Sequence, residues 1–175
     1  MRKINIFPII KDHLATLVDA RSGRLSVVDI FTFFAFPAIL AAFSHYICPV
    51  VSDATKSALI ASLSVFAALL FSAQIALFGL RPKRTEPTSD QIVQAQREKA
   101  FLESQLYFSE VNSTISYLIF LSCLELFICV LFVYIEVNAA FERVVLVFLT
   151  MHFFLTLLML LKRAHIVFAA TYRER

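Results

Sequence analysis

Four apolar runs, each about as long as a bilayer is thick, constrain this chain more than any other feature of its sequence. The runs cover residues 27–47, 58–80, 115–135 and 144–161. A helix needs about 20 apolar residues to cross the hydrocarbon core of a membrane. The last run is the shortest, but Lys162 and Arg163 can extend toward the headgroups from a helix that continues beyond them. We therefore expect an all-α integral membrane fold with four transmembrane helices in up-down-up-down order.

The composition agrees with a membrane protein. Of the 175 residues, 59% are hydrophobic and 17% are charged, against about 45–50% and about 25% in an average soluble domain. Charged residues precede the first apolar run, so we expect a retained span and not a cleaved signal peptide. Three cysteines, Cys48, Cys123 and Cys129, show no CxxC or metal-ligand spacing, and we expect neither a disulfide nor a metal or other cofactor.

The basic residues predict how the spans are oriented. Fourteen of the 16 Lys and Arg lie in residues 1–26, 81–114 and 162–175, whereas the two other loops hold only Lys56 and Arg143. Loops rich in Lys and Arg stay in the cytoplasm. We expect a multi-pass protein of the cell inner (plasma) membrane with both termini cytoplasmic. Because the two outer loops are short, the spans should form two hairpins, over 27–80 and 115–161.

Two cytoplasmic segments read as helices. In residues 1–26, Pro8 can open an amphipathic helix whose apolar face suits the headgroup region, and Ser22-Gly23 can end it. Within 81–114, the string Thr88-Ser89-Asp90-Gln91 resembles a capping box. Neither Gly nor Pro occurs after it, so one helix is expected from about Ser89 through span 3 to Ile135. We call its part over residues 90–113 the stem.

The stem has an apolar stripe that needs a partner. Its members share 3–4 spacing, interrupted by Lys99: Ile92, Ala95, Leu102 and Leu106. Such a stripe has to be buried somewhere. Three places are open: the helical tail 162–175 of the same chain, a second copy of the chain, or a soluble protein.

Three polar side chains inside the apolar runs are candidates for a functional or packing role: Glu125, His152 and Gln74. Glu125 is central in span 3, where a carboxylate is costly and should face inward. His152 in span 4 lies at a similar depth, so a Glu125–His152 hydrogen bond is feasible, with Thr150 or Thr156 as further partners. This pair predicts either a proton- or cation-responsive site or an interhelical hydrogen bond that only fixes packing. Gln74 in span 2 is expected to serve packing.

Two further patterns concern how the helices pack and bend. Small residues recur every four positions along span 2, at Ser64, Ala68, Ser72 and Ala76. Such a face allows close helix packing, or lines a narrow wet path if several copies form a ring. Pro37 should kink span 1 and is a candidate hinge.

No Gly-rich phosphate loop, HExxH motif or metal-ligand spacing is present, and we expect no enzyme activity and no direct nucleic-acid binding. The layout, with short outer loops and the stem at 90–113, resembles the four-span membrane subunits of bacterial phage-defence systems such as Kiwa. That resemblance implies an oligomer in the membrane lipids with a cytosolic protein partner. The sequence thus favours an oligomeric scaffold, sensor or pore-type effector. The alternatives are a small proton- or cation-coupled transporter using Glu125 and His152, and a simple membrane anchor.

Overall fold

A computed structural model describes residues 5–17, 26–47, 51–79 and 90–173, with the side chains of all of these except His45, Ile47 and 167–173. Within these ranges the ordered elements are all helical. They are α1 (Phe7–Ala15), α2 (Val27–Ile30), a π-helical turn (Phe31–Ala35), α3 (Phe36–Ile47), α4 (Asp53–Gly79), α5 (Gln91–Tyr134) and α6 (Ala139–Arg173).

Four of the helical stretches are long and apolar enough to cross a membrane: Val27–Ser44, Asp53–Gly79, Gln91–Tyr134 and Ala139–Ile166. The expectation of an all-helical chain with four apolar spans is confirmed, and the chain fits a multi-pass membrane protein. The second span begins earlier than expected, at Asp53, so Lys56 belongs to the first turn of a helix and not to a loop.

Local sequence explains where the helices begin. The Ser26 hydroxyl accepts the backbone N–H of Asp29 at 3.3 Å, which satisfies one of the unpaired donors at a helix start. Asp90 caps α5, accepting the N–H of Ile92 at 2.9 Å and of Val93 at 3.3 Å. The cap is therefore Asp90, and not Thr88 as the capping-box pattern suggests; Thr88 lies outside the described residues.

Helix α1 is shorter than the sequence suggested. It opens with Pro8 in its first turn, as expected, but ends at Ala15 and not at Ser22-Gly23. The Thr16 hydroxyl donates to the carbonyl of His13 at 2.7 Å, which competes with continuing the helix. Residues 22 and 23 lie outside the described part of the chain.

Helix α5 is one unbroken element of 44 residues. At about 1.5 Å per residue it is about 66 Å long, more than twice the hydrocarbon thickness of a bilayer. The continuous helix expected from the absence of Gly and Pro is therefore present. A short connection from Ile135 to Asn138 joins it to α6 and makes the two helices antiparallel neighbours.

The spatial order of the spans differs from the two expected hairpins. Helix α4 packs on α5, α5 on α6, and α6 on α3, whereas no Cα of α3 lies within 8 Å of a Cα of α4 in the described residues. The hairpin over 27–80 is therefore wrong as a packing unit. The chain from Ile47 to Asp53 can span about 20 Å when extended, so a short loop did not force contact.

The core explains this order. On α4, the buried residues Lys56, Leu63, Leu70 and Leu77 recur every seventh position, which gives one narrow seam toward the bundle. Small buried residues on α3, Ala41 and Ser44, admit α6 closely. The inward faces of spans 1 and 2 therefore fit different neighbours, and α5 and α6 form the centre.

Candidate functional site: polar groups inside the bundle

An unusual turn in span 1 creates the first polar contact. Pro37 has no N–H, so the carbonyl of Phe33 lacks the donor that a regular α-helix would supply four residues later. The turn before it, Phe31–Ala35, is π-helical. His152 of α6 fills the gap, with its Nδ1 2.7 Å from the Phe33 carbonyl oxygen. Pro37, expected as a kink or hinge, thus lies beside a backbone acceptor that a second helix satisfies.

The other nitrogen of His152 continues the network. Its Nε2 lies 2.7 Å from the hydroxyl of Tyr117 on α5. The neutral ring with its proton on Nδ1 satisfies both contacts, because Nδ1–H donates to the carbonyl and Nε2 accepts from the tyrosine. His152 is 2% exposed, so both contacts are made away from solvent. One side chain therefore joins spans 1, 3 and 4.

The network reaches helix α1. The ring of His13 stacks on that of Tyr117, with centroids 3.9 Å apart and planes 3° apart. His13 is 1% exposed, and its Nδ1 has no hydrogen-bond partner among the described residues. Burial lowers the pKa of His13 to about 4, and the charge of Arg163, together with the charge that His152 carries when protonated, adds to that shift. Helix α1 is thus docked on the bundle through a neutral histidine.

Arg163 is the second attachment of α1. Its guanidinium donates to the backbone carbonyl of Thr16 at 2.6 Å and to the hydroxyl of Thr114 at 3.4 Å. The carboxylate of Glu110 lies 3.8 Å away. Arg163 was expected to extend toward the headgroups; instead it points inward, because the end of α1 offers carbonyl groups without helical partners. We call this end of the bundle the Arg163 end.

The expected Glu125–His152 hydrogen bond is absent. Glu125 is fully buried and accepts the Thr150 hydroxyl at 2.5 Å through Oε1, while its Oε2 has no partner among the described residues. Thr150 and His152 are two residues apart, about 200° around a helix, so they face different neighbours. The alternative partner Thr150 is thus the one used, whereas Thr156 donates to the carbonyl of His152 in its own helix at 2.8 Å.

Gln74 joins α4 to α5. Its amide nitrogen donates to Asn112 at 3.2 Å and to Ser116 at 2.8 Å. Interhelical hydrogen bonds of this kind contribute about 0.6 kcal/mol on average within membranes. These contacts link two helices, as expected for a residue that serves packing.

The opposite end of the bundle, which we call the Lys56 end, holds an ion-pair cluster. The Lys56 ammonium lies 2.9 Å from Asp53 and 3.0 Å from Glu142 at the start of α6. Lys56 is 6% exposed. The cluster joins spans 2 and 4 near the first turn of each helix.

The small-residue face of α4 points away from the bundle. Ser64, Ala68, Ser72 and Ala76 are all exposed in the single chain. The Ser64 hydroxyl donates to the carbonyl of Ile60 at 2.7 Å, and that of Ser72 to Ala68 at 3.0 Å. Because these hydroxyls are satisfied within their own helix, the face needs no water, and its geometry suits lipid or another helix.

The apolar stripe of the stem is exposed as well. Ile92, Leu102 and Leu106 are 73%, 54% and 65% exposed, and Ala95 is exposed beside them. Residues 162–166, the part of the tail whose side chains the structure describes, leave this stripe uncovered.

No group of three or more His, Cys, Asp or Glu side chains suited to a metal ion occurs among the described residues. Comparisons with protein-family models, curated proteins and solved structures found no match to this chain.

Sequence reasoning missed two residues that organise the Arg163 end, His13 and Tyr117. A signal for His13 was present, since a polar ring beside Ile10 and Leu17 sits on the otherwise apolar face of α1. Tyr117 carried no such signal, because a tyrosine near the end of an apolar run is also typical of a membrane interface.

Proposed function

We propose that this chain is a non-enzymatic membrane scaffold that assembles through its stem into a homo-oligomer and engages a cytosolic protein partner. The observation that carries the proposal is the exposed apolar stripe on α5, where Ile92, Leu102 and Leu106 are each more than half exposed. Burying a large apolar side chain that was exposed to water is favourable by about 1.5–3 kcal/mol. A contact on this stripe is therefore favoured.

The spacing of the stripe favours a second copy as the occupant. Residues 92, 95, 99, 102 and 106 follow the a and d positions of two heptads. Copies inserted with the same topology have parallel stems, so the seams can face one another in register. Lys99 at an a position can then reach Glu98 at the flanking g position of the second copy, which would fix that register.

The orientation that places the stem in the cytoplasm rests on charge. Fourteen of the 16 Lys and Arg lie in the two termini and the segment between spans 2 and 3, which places the Arg163 end and the stem on the cytoplasmic side of the inner membrane. The resemblance of the layout to the membrane subunits of phage-defence systems is what supports a cytosolic partner on the stems.

Cysteine cross-linking in native membranes tests the self-association. In a background with Cys48, Cys123 and Cys129 replaced by Ala, we expect Leu102→Cys to form disulfide-linked dimers under mild oxidation. Arg97→Cys is the matched control, because it lies on the opposite face of the same helix. Equal cross-linking of both variants would indicate random collision, and no cross-linking of either would indicate separate stems; both results contradict the proposal.

One observation favours a second candidate, a proton- or cation-coupled transporter. Glu125 is 0% exposed near the middle of the apolar part of α5, and its Oε2 has no partner among the described residues. Buried intramembrane carboxyl groups mark ion and proton pathways. This candidate predicts a pH-dependent flux in liposomes that Glu125→Gln abolishes. The scaffold predicts no flux, and predicts that Glu125→Gln leaves cross-linking at residue 102 unchanged because glutamine can still accept from Thr150.

A further inference from the structure

A groove of about 510 Å³ lies at the Arg163 end, between span 1 and the α5–α6 pair. Its floor is apolar and includes Phe33, Val111 and Leu155. Its rim is charged, with Asp29 on α2 facing Lys162 and Arg163 on α6. A groove of this kind suits an amphiphile, since apolar chains fit the floor and a polar head fits the rim.

The groove lies at the membrane boundary. The apolar run of span 1 begins at Val27 and that of span 4 ends at Leu161, next to Asp29 and Lys162, which line the groove. Phospholipid headgroups and the first carbons of their chains occupy this depth. A lipid can therefore enter sideways from the bilayer with its head already at the level of the rim.

The charges on the rim select among headgroups. Arg163 is engaged by Thr16 and Glu110. Asp29 interacts electrostatically with Arg163, but neither Asp29 nor Lys162 forms a direct ion pair among the described residues, and the two stand on different helices. An acid and a base that form no direct ion pair among the described residues thus line the same groove, and they match a headgroup that carries both charges.

We propose that this groove binds one phospholipid with a primary-amine headgroup of the phosphatidylethanolamine type, its phosphate facing Lys162 and its ammonium facing Asp29. A primary ammonium has three N–H donors for a carboxylate, whereas the quaternary ammonium of a choline head has none. A purely anionic head would place negative charge beside Asp29 and Glu110. The amine is therefore what distinguishes the lipid chosen.

Native mass measurement of the purified full chain in mild detergent tests this site. The protein is mixed with equal amounts of dioleoyl phosphatidylethanolamine, phosphatidylcholine and phosphatidylglycerol, and the lipid adducts are counted. We expect one tightly held lipid, with the ethanolamine form preferred over the choline form by about tenfold, the size of one charged hydrogen bond.

Three variants and one control test whether the lipid is bound in the groove. Asp29→Asn should bring the ratio of ethanolamine to choline lipid close to one, and Lys162→Gln should weaken the binding of both. Asp12→Asn, an exposed acid on α1, is the matched control and should change nothing. Leu155→Trp fills the floor and should remove the adduct, with the elution volume and helix content of each variant reporting its fold.

The comparison in the unchanged protein is decisive even where a variant misfolds. Equal adducts of the ethanolamine and choline lipids, a preference for the glycerol lipid, or no retained lipid would each overturn the proposal. An ethanolamine preference that survives Asp29→Asn in a folded variant would overturn the assignment to this groove.

Discussion

At the scale of the residue, one proline in span 1 determines a hydrogen bond made by another helix. Pro37 removes the N–H that would pair with the Phe33 carbonyl, and the Nδ1 of His152 lies 2.7 Å from that carbonyl oxygen. An unsatisfied carbonyl inside a bilayer costs several kcal/mol. His152 therefore acts first as a partner for backbone, and its contact with Tyr117 extends that role to span 3.

This dependence predicts a coupling between positions 37 and 152. His152→Leu should lower the free energy of unfolding by about 1–3 kcal/mol, the cost of a buried polar group left without its partner. In a Pro37→Ala background, residue 37 supplies its own N–H to the Phe33 carbonyl, so the same substitution should cost about 1 kcal/mol less. Thermal unfolding in mild detergent measures all four proteins of this double-mutant cycle.

Tyr117→Phe is the control for that cycle. It removes the hydroxyl that contacts His152 but leaves the Phe33 carbonyl paired. Its cost should be the same with Pro or Ala at position 37. Additive effects of Pro37→Ala and His152→Leu would show that the carbonyl contact contributes no coupling.

At the scale of the element, helix α1 is held on the bundle by two side-chain contacts. His13 stacks on Tyr117, and Arg163 donates to the Thr16 carbonyl at 2.6 Å. The sequence predicts that α1 lies in the headgroup region, as is typical of amphipathic helices at a membrane surface. The structure shows that α1 also packs on α5, where the ring of His13 stacks on that of Tyr117.

The buried histidine makes the docking of α1 dependent on pH. The pKa of His13 falls from 6.5 to about 4 on docking, so the released helix binds a proton that the docked helix does not. Docking should therefore be fully stable above about pH 6.5 and weaken as the pH falls toward 4, by about 2 kcal/mol at pH 5. The groups that face the ring are Tyr117 on α5 and His152 and Arg163 on α6.

Hydrogen exchange of the amides in residues 7–17, corrected for intrinsic rates, measures this docking at pH 7.5 and pH 5. Exchange should speed up at the lower pH in the unchanged protein. His13→Phe keeps an aromatic ring against Tyr117 but cannot take up a proton, so its exchange should not respond to pH. The same response in both proteins would show that another group controls α1.

At the scale of the whole molecule, much of the fold could be predicted from the sequence. The four spans and the unbroken α5 could be predicted, because bilayer thickness and the absence of Gly and Pro are local constraints. The spatial order of the spans could not, since it depends on which faces fit together. The partners of His152 required that order, because its acceptor belongs to span 1, 119 residues away along the chain.

The same limit applies to Glu125. Its position inside an apolar run and its inward orientation could be predicted from the sequence, and so could the need for a partner on span 4. The choice of Thr150 over His152 depended on the rotation of α6, which the hydrogen bond from His152 to span 1 fixes. That Glu125 faces the inside of the bundle could therefore be predicted, whereas the side chain that pairs with it could not.

Self-association through the stem is tested most directly by the mass of the complex released from native membranes. We expect the unchanged protein to appear with one defined copy number greater than one. Replacing Leu102 and Leu106 with Asp should shift it to single copies, whereas replacing Arg97 and Ser104, on the opposite face, should not. A single copy of the unchanged protein, or an oligomer that survives the Leu102 and Leu106 replacements, would contradict assembly through the stem.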